Sequence, residues 1–257
     1  MNTVEYEVRD RIGFITLNRP EKRNALNEEL VRQLSDVFDR ASNDSAAKVI
    51  VLRANGEAFC SGADLAYLQT MQSFSFEGNL ADSTRLKDLF MKIYSLNKVV
   101  IAQVEGHAIA GGCGLATVCD FIFAVPEAKF GYTEVKIGFI PAIVMVFLVR
   151  KIGDQRARQL LLSGNLVGAL ETSHLGLITK VVDKPAIAAE VVEFAGKLIR
   201  TNSSQAMMST KRMISEVQSL PLDEALNYAA RMNADARGTD DCRKGIAGFL
   251  NKQALEW

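Results

Sequence analysis

Two glycine-bearing segments and one glutamate hold most of the chemistry this sequence can offer. The first segment reads Ala58-Phe59-Cys60-Ser61-Gly62-Ala63-Asp64-Leu65, and the second reads Glu105-Gly106-His107-Ala108-Ile109-Ala110-Gly111-Gly112-Cys113-Gly114. Each follows an apolar run of strand length, one ending at Leu52 and the other at Val104. Small residues let a ligand approach the main chain, and a glycine pair opening a helix leaves N–H groups pointing outward. Such donors suit a phosphate or a developing oxyanion. Taken singly, either segment also reads as a structural turn between strand and helix. Neither carries the G-x-G-x-x-G fingerprint after a first strand, nor the Gly-Lys-Ser/Thr of a phosphate-binding loop.

Glu134 is the candidate proton carrier. Thr133 and Glu134 also read as a helix N-cap and a first-turn acid, a purely structural pairing. Against that, Phe130, Tyr132, Ile137, Phe139 and Ile140 surround the glutamate in sequence. Burial among them would raise its pKa toward the range of a general acid/base. His107 reads as a loop or core histidine. Glu77, Asp82 and Asp88 read as solvated charges.

These residues need elements to position them. Val4–Val8 and Ile12–Leu17 are β-type runs joined by Arg9-Asp10-Arg11, which predicts a hairpin. Asn27 predicts a helix N-cap, with Glu28 and Glu29 in the first turn. Leu26, Leu30, Leu34, Val37, Phe38 and Ala41 then make one apolar stripe. Val49–Leu52, Val99–Val104 and Phe121–Val125 are continuous apolar runs suited to strands buried on both faces. Strand, glycine turn and helix in repetition predict an α/β architecture with its site at strand carboxyl ends. The polar stretch from Tyr67 to Asp88 predicts a helix-and-loop insertion broken by Ser, Gly and Asp. After Pro185 the pattern is helical to Trp257, and Ile246, Phe249 and Leu250 form a late apolar stripe.

Composition narrows the classes. A chain of 257 residues with 48% hydrophobic and 23% charged residues can build its core without disulfides or metals. Thirty basic and thirty acidic residues cancel, which argues against a dedicated nucleic-acid surface. The four cysteines lack C-x-x-C spacing and read as buried reduced thiols. The acidic start Met1–Glu7 has no apolar run, and the longest such run, between Lys136 and Arg150, is interrupted by Gly138 and Pro141. It falls short of the ~20 residues of a membrane helix. A cytoplasmic protein with no membrane partner is the expectation.

Taken in order, the motifs resemble those of the crotonase family, the enoyl-CoA hydratases and isomerases. Phe59-Cys60-Ser61-Gly62-Ala63-Asp64-Leu65 is similar to that family's first oxyanion segment. Gly106–Gly112, followed by Cys119-Asp120, is similar to its second, and Ala128–Pro141 to its acid/base segment. Leu17-Asn18-Arg19-Pro20, Asn24-Ala25-Leu26 and the C-terminal Gly245–Leu250 extend the likeness over nearly the whole chain.

The resemblance implies an α/β spiral of repeated ββα turns over residues 1–195, with a helical trimerisation region over 196–257. It implies a homotrimer or a dimer of trimers, acting on an acyl-CoA thioester, with no separate cofactor and no metal. The N–H groups of Ala63 and Gly111 would hold the thioester oxygen, and Glu134 would move the proton. Ala25, Ala63, Asp64, Leu65, Ala66 and Gly111 would contact the acyl-CoA, with Phe249 and Lys252 reaching a neighbouring subunit's nucleotide.

One position departs from the hydratase pattern. Family hydratases carry a second catalytic glutamate three residues beyond the oxyanion glycine, and Gly114 stands there instead. The run Pro141-Ala142-Ile143-Val144-Met145 also replaces a glycine-rich stretch. Three reactions remain open: isomerisation through Glu134 alone, hydration with Glu134 as sole acid/base, and decarboxylation of a glutaconyl-type thioester. The sequence favours a hydratase/isomerase of short or branched enoyl-CoA, most similar to methylglutaconyl-CoA hydratases of leucine breakdown. A catalytically weak acyl-CoA binder and an RNA-binding protein are the rivals from other classes.

Overall fold

The computed structural model describes residues 2–257. The chain opens with a hairpin, β1 (Val4–Arg9) and β2 (Ile12–Leu17), whose turn residues Asp10 and Arg11 both take positive φ. Helix α1 (Glu28–Asn43) follows, with the Asn27 side chain accepting from the Leu30 N–H as a cap. Three turns of strand, strand and helix come next. They are β3 (Val49–Ala54), β4 (Ala58–Cys60), α2 (Leu65–Met71) and α3 (Phe76–Tyr94); then β5 (Val99–Val104), β6 (His107–Ile109) and α4 (Gly111–Thr117); then β7 (Phe121–Ala124), β8 (Lys129–Gly131), α5 (Ala142–Ile152) and α6 (Asp154–Ser163). Two short strands, β9 (Val167–Gly168) and β10 (Lys180–Val181), flank α7 (Ala169–His174). Helices α8 (Ile187–Thr201), α9 (Ser204–Val217), α10 (Leu222–Arg237) and α11 (Asp240–Leu250) complete the chain.

The strands form two sheets, in the orders β1-β2-β3-β5-β7-β10 and β4-β6-β8-β9. In the larger sheet only β1 runs antiparallel to its neighbour. Its central strands are buried on both faces, which is why Val49–Leu52 and Val99–Val104 are apolar without alternation. The ββα spiral expected from the resemblance is therefore present. Its first strands build the large sheet and its second strands the small one.

The stretch from Tyr67 to Asp88 is a helix and a loop as expected, broken over residues 72–75 between α2 and α3, but Gly78, Asp82 and Ser83 do not interrupt α3, which runs unbroken over Phe76–Tyr94. Ser75 caps it by accepting from the Gly78 N–H, and Leu89, Phe90 and Ile93 bury its last turns in the core. The boundary at residue 195 falls inside α8. That helix buries Ile187, Val191, Ala195 and Ile199 in the main core, and α9 after it is also tied to that body, through Lys211 to the Ile93 and Lys98 carbonyls and Asp120; α10 and α11 form the C-terminal region. In that region α10 has no buried residue, and Leu222, Leu226, Ile246, Phe249 and Leu250 are all exposed. Among the described residues no helix is long and apolar enough to cross a membrane.

Candidate active site

The small sheet brings the three candidate segments together. Its parallel strands β4, β6 and β8 are successive neighbours, and Ala63, Gly111 and Glu134 lie two or three residues past their carboxyl ends. Strands in one sheet lie roughly 4.8 Å apart, so three such exits open on one small region.

At the first exit, Leu26 bridges the segment by donating to the Gly62 carbonyl (2.7 Å) and accepting from the Asp64 N–H (2.8 Å). Both bonds come from the residues flanking Ala63. Strand alternation therefore turns the Ala63 N–H away from Leu26. At the second exit, the first bond of α4 runs from the Gly114 N–H to the Ala110 carbonyl (3.0 Å). Gly111 thus stands at the helix N-terminus as one of its orphan donors. Among the described residues, neither the Ala63 nor the Gly111 N–H donates to a protein acceptor. The two segments touch: a β-carbon built on Gly62, whose φ is +89°, would lie 2.9 Å from Ala110 Cβ and 3.6 Å from Gly111 N. Ala110 itself is held at φ 52°, ψ −124°, an unusual conformation for a residue with a side chain.

At the third exit, Glu134 opens a single 3-10 turn through Ile137, and the Thr133 side chain makes no cap bond. The Thr133 half of the structural alternative is therefore absent, while Glu134 does stand as the first-turn acid of this single turn. Oε2 of Glu134 is buried and has no hydrogen-bond partner among the described residues. Burial raises the carboxyl above its ordinary value, opposed by a bond from its own main-chain N–H. The turn is backed by Gly164, where a β-carbon would meet Val135 Cγ2 at 2.9 Å. Next to it Tyr132 is fully buried, its hydroxyl 2.8 Å from Thr117 Oγ1.

Asp64 turns inward. Its carboxylate accepts from the Ala66 and Tyr67 N–H groups, capping α2, and pairs with Arg19 at 2.7 Å. Leu65 and Ala66 are exposed beside Ala63, while Ala25 is buried with its carbonyl accepting from Arg19 (3.1 Å). Phe249 is 84% exposed at the end of α11, and Lys252 lies in the turn that follows. His107 is exposed on β6, its Nδ1 accepting from the Lys129 N–H. The acids of the Tyr67–Asp88 stretch are engaged or at a helix start: Asp82 by Tyr67 and Arg85, Asp88 by Lys87, and Glu77 in the first turn of α3. Cys60, Cys113 and Cys119 are fully buried, and burial pushes their thiols up to about 12, so they stay protonated. Among the described residues, no group of three His, Cys, Asp or Glu side chains could hold a metal ion.

Gly114 has no free space above it. A β-carbon there would stand 2.2 Å from Val144 Cγ1 and 2.9 Å from Phe90 Cε2. Sequence reasoning gave no role to Arg19, Asn24 or Phe90, and flagged Val144 only as one of the bulkier residues after Pro141. Asn24, fully buried at φ 53°, donates to the Asn55 and Ala58 carbonyls and so ties its loop to β4. The quoted Asn18-Arg19-Pro20 and Asn24-Ala25-Leu26 motifs were the available signal for the first two.

Comparison with known proteins bears on this geometry. The family model described as enoyl-CoA hydratase/isomerase matches residues 7–257. The chain is 37% identical over 242 residues to a provisionally named enoyl-CoA hydratase of Thermus thermophilus, covering 94% of this chain and 95% of that one. It is 31% identical over 248 residues to the 2,3-dehydroadipyl-CoA hydratase of Escherichia coli, covering 96% and 95%. The crystal structure of an enoyl-CoA hydratase from Mycobacterium smegmatis superposes with a TM-score of 0.93 at 28% identity, covering 100% of this chain and 99% of that one.

Proposed function

Since the chain belongs to the enoyl-CoA hydratase/isomerase family, we propose that it holds a short or branched enoyl-CoA thioester as an enolate and moves its protons with Glu134. The Ala63 and Gly111 N–H groups donate to the thioester oxygen. As the enolate forms, that oxygen gains nearly a full charge, and two fixed donors stabilise it more than they stabilise the ground state. Losing one such donor costs about 3 kcal/mol of barrier. The position of Gly111 at the start of α4 adds the favourable end of the helix dipole.

What supports this reading is the buried, unpartnered Oε2 of Glu134 past the end of β8, with the Ala63 and Gly111 amides past the ends of the neighbouring strands β4 and β6 likewise lacking acceptors among the described residues. A carboxylate kept from water and from cations is a stronger base and, once protonated, a usable acid near neutral pH. Ala25, Leu65 and Ala66 flank the coenzyme, and Asp64 fixes the start of α2 beneath it. The exposed stripe of α10 and α11 packs against further copies in a trimer or a dimer of trimers, which brings Phe249 and Lys252 to a neighbour's nucleotide.

The test incubates the protein with 2-enoyl-, 3-enoyl- and methylglutaconyl-CoA and follows products by mass. Exchange of the α-hydrogens of a saturated acyl-CoA in heavy water is followed in parallel. Glu134→Gln should lower turnover and exchange at least a hundredfold while coenzyme A binding is kept. Full activity in that variant would remove Glu134 as the proton carrier.

A further inference from the structure

We propose that Val144 is the specificity-determining residue that turns this site from water addition toward proton shuttling, an inference that rests on the enolate reading above. Gly114 lies one turn beyond Gly111 on the same face of α4, so a side chain there would point where Gly111 points. The volume it needs is taken. Besides the approach of Val144 Cγ1 at 2.2 Å, a β-carbon on Gly114 would stand 3.0 Å from Val144 Cβ. Val144 sits in the first turn of α5, 4% exposed, and Phe90 on α3 is fully buried. Phe90 is braced edge-on by Phe147, with ring centroids 6.3 Å apart, and Phe147 in turn contacts Tyr94. The wall opposite Gly114 is therefore a packed apolar surface from two helices, with no slack for the stem of a glutamate.

Two departures that stand thirty residues apart in sequence are thus one packing arrangement. Gly114 is glycine because Val144 fills the space, and the branched side chain at 144 fits only while 114 lacks a β-carbon.

The chemical consequence follows from counting partners. A water poised for addition needs about two to four polar neighbours. This wall offers none, and Glu134 supplies one carboxylate. Moving a proton between two carbons needs no water. The Glu134 carboxylate takes the C2 proton of a 3-enoyl thioester, and the electron pair passes to the carbonyl oxygen between the two amides. The same carboxyl then returns the proton to C4 as the pair comes back, leaving a C2–C3 double bond. Atoms and electrons balance with no co-reactant.

The test uses the full chain and five variants, Val144→Gly itself among them. Wild type should convert 3-enoyl-CoA at least tenfold faster than it hydrates 2-enoyl-CoA. Gly114→Ala should lower the melting temperature in the wild-type background, and by less than half as much in a Val144→Gly background. Gly114→Glu alone should lose both activities and melt lower. The Gly114→Glu/Val144→Gly double variant should regain stability and raise the ratio of hydration to isomerisation at least tenfold over wild type. Equal wild-type rates on the two substrates would overturn the proposal. So would strictly additive melting shifts, or a folded double variant with an unchanged ratio. Failure of wild type to exchange α-hydrogens in heavy water would instead sink the underlying enolate reading, and that is read separately.

Discussion

Arg19 Nη1 lies 2.7 Å from Asp64 Oδ2, and this pair of a half-buried arginine and a buried aspartate joins the loop after β2 to the helix that begins beside Ala63. The same carboxylate caps α2, so one side chain fixes both the entry of that helix and the loop carrying Asn24 and Ala25. Burial alone would raise the Asp64 carboxyl, but the Arg19 hydrogen bond and the two main-chain donors outweigh it and hold the carboxyl below its usual range.

Arg19→Met leaves that carboxylate buried without its cation. Leaving a buried acceptor without its partner costs about 1–3 kcal/mol, and the urea midpoint at neutral pH should fall accordingly. The sign with pH follows from the lowered pKa. The stability that Asp64 contributes is present above the unfolded carboxylate range and is lost as pH falls through the folded value. The gap between variant and wild type should therefore shrink at acid pH. A gap of constant size down to about pH 3 would mean the pair is not its source.

Glu134 carries the opposite sign. Its folded pKa is raised by burial, so its contribution to stability is full below the unfolded value and is lost as pH rises through the folded one. Above its folded value, the ionised side chain works against folding. Glu134→Gln should therefore melt higher than wild type at about pH 8 and level with it at about pH 4, while turnover falls. Thermal melts at the two pH values decide it, and an equal difference at both would show that ionisation is not involved.

How much of this was legible in the sequence depends on how local each cause is. Val49–Leu52 and Val99–Val104 declared themselves because burial on both faces leaves an unbroken apolar run. The Asn27 cap acts within three residues and was equally plain. Helix α3 was not, since its first half is exposed and polar and only its end enters the core. The segments around Ala63, Gly111 and Glu134 could be named in advance, but their convergence depends on the neighbour order of β4, β6 and β8, which no single segment encodes. Arg19 with Asp64, and Gly114 with Val144, are contacts across long stretches of chain. Each member was visible as a motif residue or a departure, and the packing that couples them was not.

Gly111 and Gly112 should respond to substitution in opposite ways. A β-carbon on Gly112 would stand 2.2 Å from the Cys60 carbonyl oxygen and 2.7 Å from its carbon, and that backbone belongs to β4. Gly112→Ala must push α4 off the small sheet, costing about 3 kcal/mol or more and lowering soluble yield. A β-carbon on Gly111 meets only the end of the Leu26 side chain, at 3.1 Å, which can turn aside. Gly111→Ala should stay within about 1 kcal/mol of wild type in urea unfolding. If the two variants proved equally stable, the close seat of α4 on β4 would not be what glycine is needed for.

Ala110 offers the reverse experiment. It holds φ 52° and ψ −124° immediately before the Gly111 amide, in a region where a β-carbon is strained by about 1–3 kcal/mol. The strain persists because both sides fix the residue: its N–H donates to the Gly131 carbonyl at 2.7 Å, and its carbonyl accepts the first bond of α4. Ala110→Gly removes the strain, and the extra freedom it gives the unfolded chain offsets about 0.5–1 kcal/mol of the gain. Stability should rise by about 1 kcal/mol net, read as a higher urea midpoint at unchanged slope. With no side chain to limit the turn, the Gly111 N–H is held less firmly, so kcat should fall severalfold while KM stays put. A variant both less stable and fully active would show that the alanine is unstrained there and plays no part in aiming the amide.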